Sequence, residues 1–288
     1  MRLLVADSEG PDARDTRRAS VGQSAGESFA ALLTDLEPTA RIVLATPADA
    51  DAPVLSTEQL AAFDGVFLTG SPLHVYDDTP EVRRELAFMH TVFRSQTPAF
   101  GSCAGLQVAV AAAGGTVRPM GERREAGVAR GIWATEGGRD HPLLRGRPPA
   151  WCALTMHGDE IDQLPAAATL LAGNGAAAVQ AVEIRHEGGI FWGVQYHPEL
   201  TLHEIGAALR RDLDTLVEAG LARDTAAVTR QAELLESLDR EPDRIDLAWQ
   251  LGVDRQITDA TLRRCEIFNF LNELVRPRAG SHSATREA

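Results

Sequence analysis

The chain has 288 residues, a formal net charge of −13 and a hydrophobic fraction of 44%. That fraction is typical of a globular protein with a sizeable core, and no apolar run approaches the roughly 20 residues that span a bilayer. The acidic balance disfavours nucleic acid and membranes as partners, because both are negatively charged. Its cysteines, Cys103, Cys152 and Cys265, lack metal-ligand spacing, so we expect reduced thiols in a cytoplasmic protein without a bound metal.

The first part of the chain alternates short apolar runs with helical patterns. Residues 1–7 lack the pattern of a signal peptide and predict a first buried strand instead. Strands are predicted at 3–6, 42–45, 66–69 and 98–101, and helices at 28–36, from Pro80 onward and at 104–113. The polar segment 11–24 is predicted to be a mobile loop. This alternation indicates βα units on a mainly parallel sheet.

The pattern changes in the second part of the chain. Residues 127–193 are richer in strand patterns, with a hairpin turn expected at Glu187-Gly188-Gly189. From Leu202 to about Val275 the pattern is helical and charged, and the last dozen residues have no apolar period. We therefore predict an α/β domain at 1–204, a helical C-terminal extension at 205–276 and a disordered tail at 277–288.

The most informative segment is Gly101-Ser102-Cys103-Ala104-Gly105, where a predicted buried strand ends and a helix begins at once. This is the nucleophile-elbow pattern with cysteine in place of serine, and its two glycines leave room for a tight turn. Cys103 would lie at a helix N-terminus, where free N–H groups and the helix dipole favour a thiolate. The amide of Ala104 is placed to donate to an oxyanion. A buried cysteine between two packing glycines is the alternative.

A second segment, Gly193-Val194-Gln195-Tyr196-His197-Pro198-Glu199, follows the apolar run 190–192. A cysteine hydrolase needs an imidazole that takes and returns a proton, and an acceptor that fixes its tautomer. His197 and Glu199 are two residues apart, so both side chains would point to one face of a continuing strand. Alone, this sequence is more often an ordinary turn. Together with the elbow, it predicts a triad of Cys103, His197 and Glu199.

These two segments, in this order and separation, resemble the motifs of the class I (triad) glutamine amidotransferases. The resemblance is strongest to the amidotransferase domain of GMP synthase and its stand-alone relatives, and it covers about residues 2–204. It implies a flavodoxin-like three-layer α/β sandwich with a mixed, mainly parallel central sheet. It also implies an enzyme whose cysteine attacks the γ-amide of glutamine or of another γ-glutamyl small molecule, without a cofactor.

The resemblance assigns an oxyanion loop. The segment Leu68-Thr69-Gly70-Ser71-Pro72 is similar to the family's glycine-containing loop after the third strand. Amides near Gly70 and Ser71 would complete the oxyanion hole that begins at Ala104. An ordinary strand-to-loop turn is the alternative for this segment.

The resemblance also assigns substrate contacts. Gln107 matches a family position that contacts the amino-acid end of the substrate. Met156 and His157 lie in a segment, 155–160, similar to the Ser-His-Gly-Asp segment that lines the glutamine pocket. Two residues depart from the family: Leu106 replaces a common histidine and Met156 a common serine. Both changes are expected to alter the pocket without removing a catalytic group.

Three hypotheses for the function follow. The chain contains no nucleotide-binding loop of a synthase, so the first is a glutaminase that passes ammonia to a separate synthase. The second is an independent γ-glutamyl peptide or amide hydrolase with a larger leaving amine. The third is a catalytically idle binding or regulatory protein.

The C-terminal helical segment carries an apolar stripe that consists of Ile267, Phe268, Phe270, Leu271, Leu274 and Val275. This stripe must be covered by the domain's own flank, by a second copy in a homodimer or by a partner synthase.

Overall fold

A computed structural model describes residues 1–121 and 124–287 of the chain, with the backbone alone described for 283–287. The strands are β1 (Arg2–Ala6), β2 (Arg41–Ala45), β3 (Gly65–Leu68), β4 (Ala99–Ser102), β5 (Thr116–Pro119), β6 (Glu125–Ala134), β7 (Ala150–His157), β8 (Asp159–Gln163), β9 (Ala168–Gly173), β10 (Ala181–His186) and β11 (Gly189–Val194). The helices are α1 (Pro11–Val21), α2 (Ala25–Leu36), α3 (Thr57–Ala61), α4 (Pro80–Ser95), α5 (Ala104–Ala112), α6 (Leu202–Arg211), α7 (Leu213–Glu218), α8 (Thr225–Arg240), α9 (Ile245–Leu251), α10 (Arg255–Thr258), α11 (Ala260–Arg263), α12 (Cys265–Phe270) and α13 (Arg276–Glu287). A 3-10 turn lies at Pro142–Leu144 and a π-helical turn at Leu271–Val275.

The described strands form one mixed nine-stranded sheet, in the order β2-β1-β3-β4-β11-β10-β9-β6-β7, and a separate pair, β5-β8. β2, β1, β3, β4 and β11 are parallel neighbours. β10, β9, β6 and β7 extend the sheet through antiparallel pairs. The carboxyl ends of the parallel strands meet at one edge, where open α/β sheets bind their ligands. The predicted α/β architecture with a mixed sheet is confirmed.

Local signals explain several element boundaries. Ser24 and Glu27 exchange side chain-to-backbone hydrogen bonds in a capping box, which starts α2 earlier than the predicted residue 28. Thr79 caps α4, and Pro80 occupies its first position as predicted. The predicted hairpin joins β10 to β11, and its turn places Glu187 and Gly188 at φ 47° and 81°.

Helix α1 corrects the prediction of a mobile loop at 11–24. The helix starts with Pro11 and ends at Gly22, whose φ is 88°. Its buried side chains are arginines: Arg14 pairs with Asp49, and Arg17 pairs with Glu204 of α6 at 2.8 Å. Because charged pairs rather than apolar contacts hold this helix against the fold, its sequence lacks the helical spacing of apolar residues that would have predicted it.

The C-terminal helices pack in two places. Residues of α6, α8 and α9 form a core with β7, which includes Ile205, Leu235 and Leu154. The later elements return to the main sheet, where Phe270 packs against Phe67 and Phe100 with ring centroids 5.3 and 5.6 Å apart. The apolar stripe is therefore largely covered within the chain, although 47% of the Phe268 side chain is exposed.

Helix α13 corrects the prediction of a disordered tail at 277–288, for the part of the tail that is described. Arg278 donates hydrogen bonds to the carbonyl oxygens of Ala61, Phe63 and Gln96 at 3.1–3.2 Å. His282 contacts Asp64 through Nδ1 at 2.8 Å. Polar contacts with backbone carbonyls leave no periodic signal in a sequence, which explains the error.

The division at residues 204 and 205 remains a prediction, and α6 runs across that boundary. None of the helices in the described part of the chain combines the length and the apolar character needed to span a membrane.

Candidate active site

Cys103 lies at the turn between β4 and α5, at the carboxyl edge of the parallel strands. Its φ of 52° and ψ of −112° are strained values for a residue with a side chain. Its N–H donates to the carbonyl of Val194 at 2.9 Å, which ties the turn to the end of β11. The geometry is that of a nucleophile elbow, with the side chain only 7% exposed.

The glycines on either side of Cys103 have no space for a side chain. A methyl group built on Gly101 would lie 2.8 Å from the carbonyl carbon of Gly105. One built on Gly105 would lie 2.7 Å from the carbonyl oxygen of Leu68. Close packing between the first turn of α5, β4 and β3 therefore requires both glycines, in agreement with the sequence prediction.

His197 and Glu199 follow β11 and lie beside Cys103. His197 Nδ1 is 2.7 Å from Glu199 Oε1, and Ser102 Oγ donates to the same oxygen at 2.8 Å. The N–H of His197 donates to the carbonyl of Leu154 at 2.8 Å, which anchors this segment on β7. Glu199 Oε2 is buried and has no hydrogen-bond partner in the described part of the chain. The three predicted triad residues are thus brought together.

The electrostatics favour a charged imidazole. Burial lowers the pKa of His197, but the Glu199 carboxylate and a hydrogen bond with Cys103 outweigh it and raise this pKa to about 10. A protonated His197 beside Cys103 is the arrangement that stabilises a reactive thiolate. The pair is therefore suited to nucleophilic attack followed by proton delivery to a leaving group.

The predicted oxyanion loop lies next to this pair. A methyl group on Gly70 would lie 2.8 Å from His197 Cε1 and 3.6 Å from Cys103 Cβ, so this position requires glycine. Ser71 Oγ accepts a hydrogen bond from Leu73 N at 3.0 Å, which shapes the turn after β3. Ala104 is the first residue of α5, so its N–H has no acceptor within the helix. The geometry is compatible with an oxyanion hole.

A first cavity of about 290 Å³ opens on one side of Cys103, and we call it the glutamyl cavity. All three predicted substrate contacts, Gln107, Met156 and His157, line it. Gln107 Nε2 donates to Gln195 Oε1 at 3.2 Å and to the carbonyl of Asp159 at 3.4 Å. This side chain is almost fully buried, so these bonds fix its position at the cavity wall.

His157 is held by Asp159, which lies in the predicted segment 155–160, and by Glu125, which the sequence did not indicate. Its Nδ1 lies 2.9 Å from the carbonyl of Asp159 and its Nε2 lies 3.1 Å from Glu125 Oε2. Glu125 also accepts hydrogen bonds from Asn174 at 2.7 Å and Gln180 at 2.6 Å. Burial raises the pKa of Glu125, but the bonds from its partners outweigh it and lower this pKa. Both ring nitrogens of His157 are thus engaged within the protein.

The rim of the glutamyl cavity contains a second unpredicted group. Asp159 Oδ2 lies 2.6 Å from Nδ1 of His74, and Tyr76 OH donates to Asp159 Oδ1 at 3.0 Å. Burial raises the pKa of Tyr76, and the hydrogen bond to the Asp159 carboxylate raises it further, to about 12. Asp159 belongs to the segment that resembles the family motif, and that resemblance was the signal available for it.

A second cavity of about 490 Å³ adjoins the first at Cys103, and we call it the helix cavity. Both cavities are lined by Ser71, Pro72, Cys103, Met156 and Asp212. His197 and Glu199 line only the helix cavity, whereas Gln107 and His157 line only the glutamyl cavity. Helices α1 and α6 supply much of the remaining wall of the helix cavity, which was not predicted from the sequence.

Candidate metal ligands lie away from Cys103. Among the described residues, His90, His186 and Glu187 bring ligand atoms within 4.8 Å of one another. His186 and Glu187 lie at the turn before β11, at the end of that strand opposite His197. Cys103 is not part of this group.

Comparison with known proteins agrees with this geometry. The model of the family "Glutamine amidotransferase class-I" matches residues 26–213. A gamma-glutamyl-L-1-hydroxyisopropylamide hydrolase from a Pseudomonas species is 34% identical over 97% of this chain and 95% of its own length. A GMP synthase [glutamine-hydrolyzing] from Thermomicrobium roseum is 31% identical over 69% of this chain, but the match spans only 36% of that enzyme.

Solved structures show the same fold. A glutamine amidotransferase from Thermotoga maritima superposes with a TM-score of 0.58 at 17% identity, covering 90% of this chain and 98% of that chain. One from Methylobacillus flagellatus gives a TM-score of 0.53 at 19% identity, covering 88% and 95% of the two chains. On the family match and the relatives above 30% identity, this chain belongs to the class I glutamine amidotransferase family.

Proposed function

We propose that the chain is a cysteine-dependent γ-glutamyl amide hydrolase that releases glutamate and an amine larger than ammonia. The observation that carries this proposal is the position of Cys103 between two cavities, with His197 facing only the helix cavity. An amide with substituents on both sides of its C–N bond fits such a site. The relative whose name specifies a γ-glutamyl amide matches this chain over nearly the full length of both proteins, which supports the same conclusion.

The mechanism begins with the Cys103 thiolate and the His197 imidazolium. The sulfur attacks the γ-carbonyl carbon, and the resulting oxyanion accepts hydrogen bonds from the amides of Ala104 and of the Gly70–Ser71 loop. The tetrahedral intermediate collapses as His197 gives its proton to the amide nitrogen, so the C–N bond breaks and the amine leaves. Glu199 holds the imidazole in orientation through Nδ1.

Hydrolysis of the thioester completes the cycle. The neutral His197 takes a proton from water, the hydroxide attacks the thioester carbonyl, and the C–S bond breaks to release glutamate. Gln107, Met156 and His157 serve the acyl group in this scheme. Because both ring nitrogens of His157 are bonded to protein atoms, its ring contributes shape to the cavity wall.

A second candidate function is a glutaminase that passes ammonia to a separate synthase. It is supported by the similarity to a GMP synthase [glutamine-hydrolyzing]. The matched region spans 36% of the length of that enzyme. In that case the helix cavity would be the exit for ammonia, and a partner synthase would stimulate the activity.

The test is glutamate release from glutamine and from γ-glutamyl amides of small amines, with wild type and Cys103→Ala. We expect the amides to be hydrolysed with higher kcat/KM than glutamine, and both activities to disappear in Cys103→Ala. Cys152→Ala is the matched control, because this thiol lies outside both cavities. Turnover of glutamine alone would favour the ammonia donor, and unchanged activity in Cys103→Ala would refute the cysteine mechanism.

A further inference from the structure

Glu85 is a buried acid that the proposed mechanism does not use. It lies on α4 and is only 1% exposed, although glutamate is almost never fully buried unless it is paired. Ser8 Oγ donates to its Oε2 at 3.1 Å, whereas its Oε1 is buried and has no hydrogen-bond partner in the described part of the chain. Such a group destabilises the fold, and its presence there indicates that it serves the site.

Hydrogen bonds connect Glu85 to the predicted oxyanion loop. Ser8 forms the link, because its Oγ donates to Glu85 and its N–H donates to Thr69 Oγ1 at 3.0 Å. Thr69 N donates to the carbonyl of Ala6 at 3.1 Å, and the next residue along the chain is Gly70. Glu85, Ser8 and Thr69 are each 1% exposed, so bulk water does not compete for these bonds. The backbone of the loop is therefore tied to Glu85 through a single residue.

Glu85 also shares a small cavity with the proposed oxyanion hole. The cavity is lined by Glu85 and Ser8 together with Ser71 and Ala104, and the rest of its wall is aliphatic. Its volume of about 10 Å³ is close to the roughly 10–15 Å³ that one water molecule needs. Because bulk water does not fill this space, a charge on Glu85 would act on the oxyanion hole with little screening.

We propose that Glu85 is a positioning residue that holds the oxyanion loop in place for the reaction at Cys103. This inference rests on the proposed amide hydrolase, because an oxyanion forms only if the sulfur of Cys103 attacks a carbonyl carbon. Glu85 acts through Ser8 on the backbone of Gly70 and Ser71, and it does not contact the substrate. Its contribution is realised when the oxyanion forms, so it affects kcat more than KM.

The charge of Glu85 matters for the same reason. Burial raises the pKa of Glu85 to about 8; the bond from Ser8 lowers this pKa, and the carboxylates of Asp7 and Asp49 raise it. Asp49 is itself paired with Arg14 of α1. Apart from Glu85, the described residues that line the shared cavity carry no charge. Glu85 is thus neutral at pH 7, whereas at higher pH its carboxylate would repel the developing oxyanion.

The first experiment compares kcat between pH 6 and pH 10 in wild type and in Glu85→Gln, with glutamine and γ-glutamyl isopropylamide as substrates. The variant is isosteric and retains an acceptor for Ser8 Oγ, but it cannot ionise. At pH 6.5 we expect the two proteins to have similar kcat. In wild type, kcat should then fall roughly tenfold with an apparent pKa of about 8. In Glu85→Gln, the fall should occur only near pH 10, where His197 loses its proton.

The second experiment tests the positioning itself. Glu85→Ala removes the acceptor of Ser8 Oγ, so kcat at pH 7 should fall about tenfold or more with KM nearly unchanged. Ser8→Ala breaks the same link from its other end and should lower kcat in the same way. Hydrogen exchange of the peptide that contains Gly70 and Ser71, followed by mass spectrometry, should be faster in both variants and unchanged in Glu85→Gln. The matched control is Glu81→Gln, which removes an acid from the first turn of the same helix.

Two sets of outcomes separate this inference from the proposed function. A fall in kcat near pH 8 that persists in Glu85→Gln, or wild-type kcat in both Glu85→Ala and Ser8→Ala, would overturn the role of Glu85 and leave the hydrolase intact. The exchange measurement needs no turnover, so unchanged exchange in both alanine variants would overturn the positioning role by itself. Wild-type protein that hydrolyses neither substrate would overturn the proposed hydrolase, and with it this inference.

Discussion

The two cavities that meet at Cys103 are built in different ways. The glutamyl cavity is lined by strand ends, by Gln107 of α5 and by Thr215 and Leu216 of α7, and it borders a buried hydrogen-bond network around Glu125. The helix cavity is lined by α1 and α6, and its wall contains charged side chains with unused polar atoms. The glutamyl cavity is therefore shaped by a network of buried hydrogen bonds, in which Gln180 Oε1 and Gln195 Nε2 have no partner among the described residues, whereas the helix cavity is bordered by charged residues, of which Arg17 and Glu199 each have one unpartnered polar atom.

The variant with the largest expected effect disrupts the junction of the cavities. His197→Gln removes the group that, in the proposed mechanism, protonates the amine and activates water, so kcat should fall by about 10³-fold or more. Because both cavities serve one reaction, the loss should be similar for glutamine and for a γ-glutamyl amide in initial-rate assays. A loss confined to one substrate would show that the cavities do not share one mechanism.

The contributions of His197, at the junction of the cavities, and of Glu125, at the glutamyl cavity, to the free energy of unfolding should be lost at opposite ends of the pH scale. The folded-state pKa of His197 is raised to about 10, so its contribution to stability is complete below the unfolded value of about 6.5 and is lost as pH rises towards 10. The folded pKa of Glu125 is lowered, so its contribution is present above about 4.5 and is lost as pH falls further.

Urea unfolding at pH 7 and at pH 9.5 measures the first contribution. We expect wild type to lose a few kcal/mol more than His197→Gln over this interval, after correction for the general alkaline decline. Equal losses in the two proteins would contradict the charged imidazole at the junction.

A smaller effect is expected from the wall of the glutamyl cavity. Gln107→Leu removes the bonds to Gln195 and to the carbonyl of Asp159. In the proposed scheme Gln107 also binds the acyl group, and the loss of one hydrogen bond to that group costs about 1.4 kcal/mol of binding free energy, which corresponds to roughly a tenfold increase in KM. The increase should be the same for amides of different amines, because the side chain touches only the acyl side. A change in amine preference would break the assignment of the two cavities.

The smallest effect is expected from a change at the end of α1, which lines the helix cavity but not the glutamyl cavity. Gly22 ends α1 with a φ of 88°, so Gly22→Ala strains this turn and should reduce the unfolding free energy by about 1 kcal/mol. Fraying of α1 should lower kcat/KM for a substituted amide more than for glutamine. Gly10→Ala serves as control, because its φ is −70° and a methyl group there meets no atom within 4 Å. Equal effects of Gly22→Ala on both substrates would argue against a role of α1 in amine binding.

The elbow and the His-Pro-Glu segment could be predicted because their signals are local. A strand that ends in Gly101 and a helix that follows Cys103 can be recognised within a few residues, and close packing against Gly105 explains the spacing. The βα units on parallel strands followed from the alternation of strands and helices, and the mixed sheet followed from the family resemblance. The position of Gln107, Met156 and His157 at one cavity also agrees with the family resemblance.

The errors arose where distant polar groups hold the structure. Helix α1 was taken for a loop because Arg17 pairs with Glu204, 187 residues away. The tail was taken for disordered because Arg278 bonds to carbonyl groups, which every residue possesses. Glu125 was overlooked because its role depends on His157, Asn174 and Gln180 meeting in space.

The sequence by itself determined the fold class, the nucleophile elbow and the residues of the predicted triad, because short-range geometry dictates which residue types can occupy those positions. Only the tertiary structure decided that Cys103 lines two adjoining cavities and that Glu9 and Arg17 line one of them. The physical reason is that a cavity is the space left between packed elements, and its charge depends on side chains that long-range packing brings together.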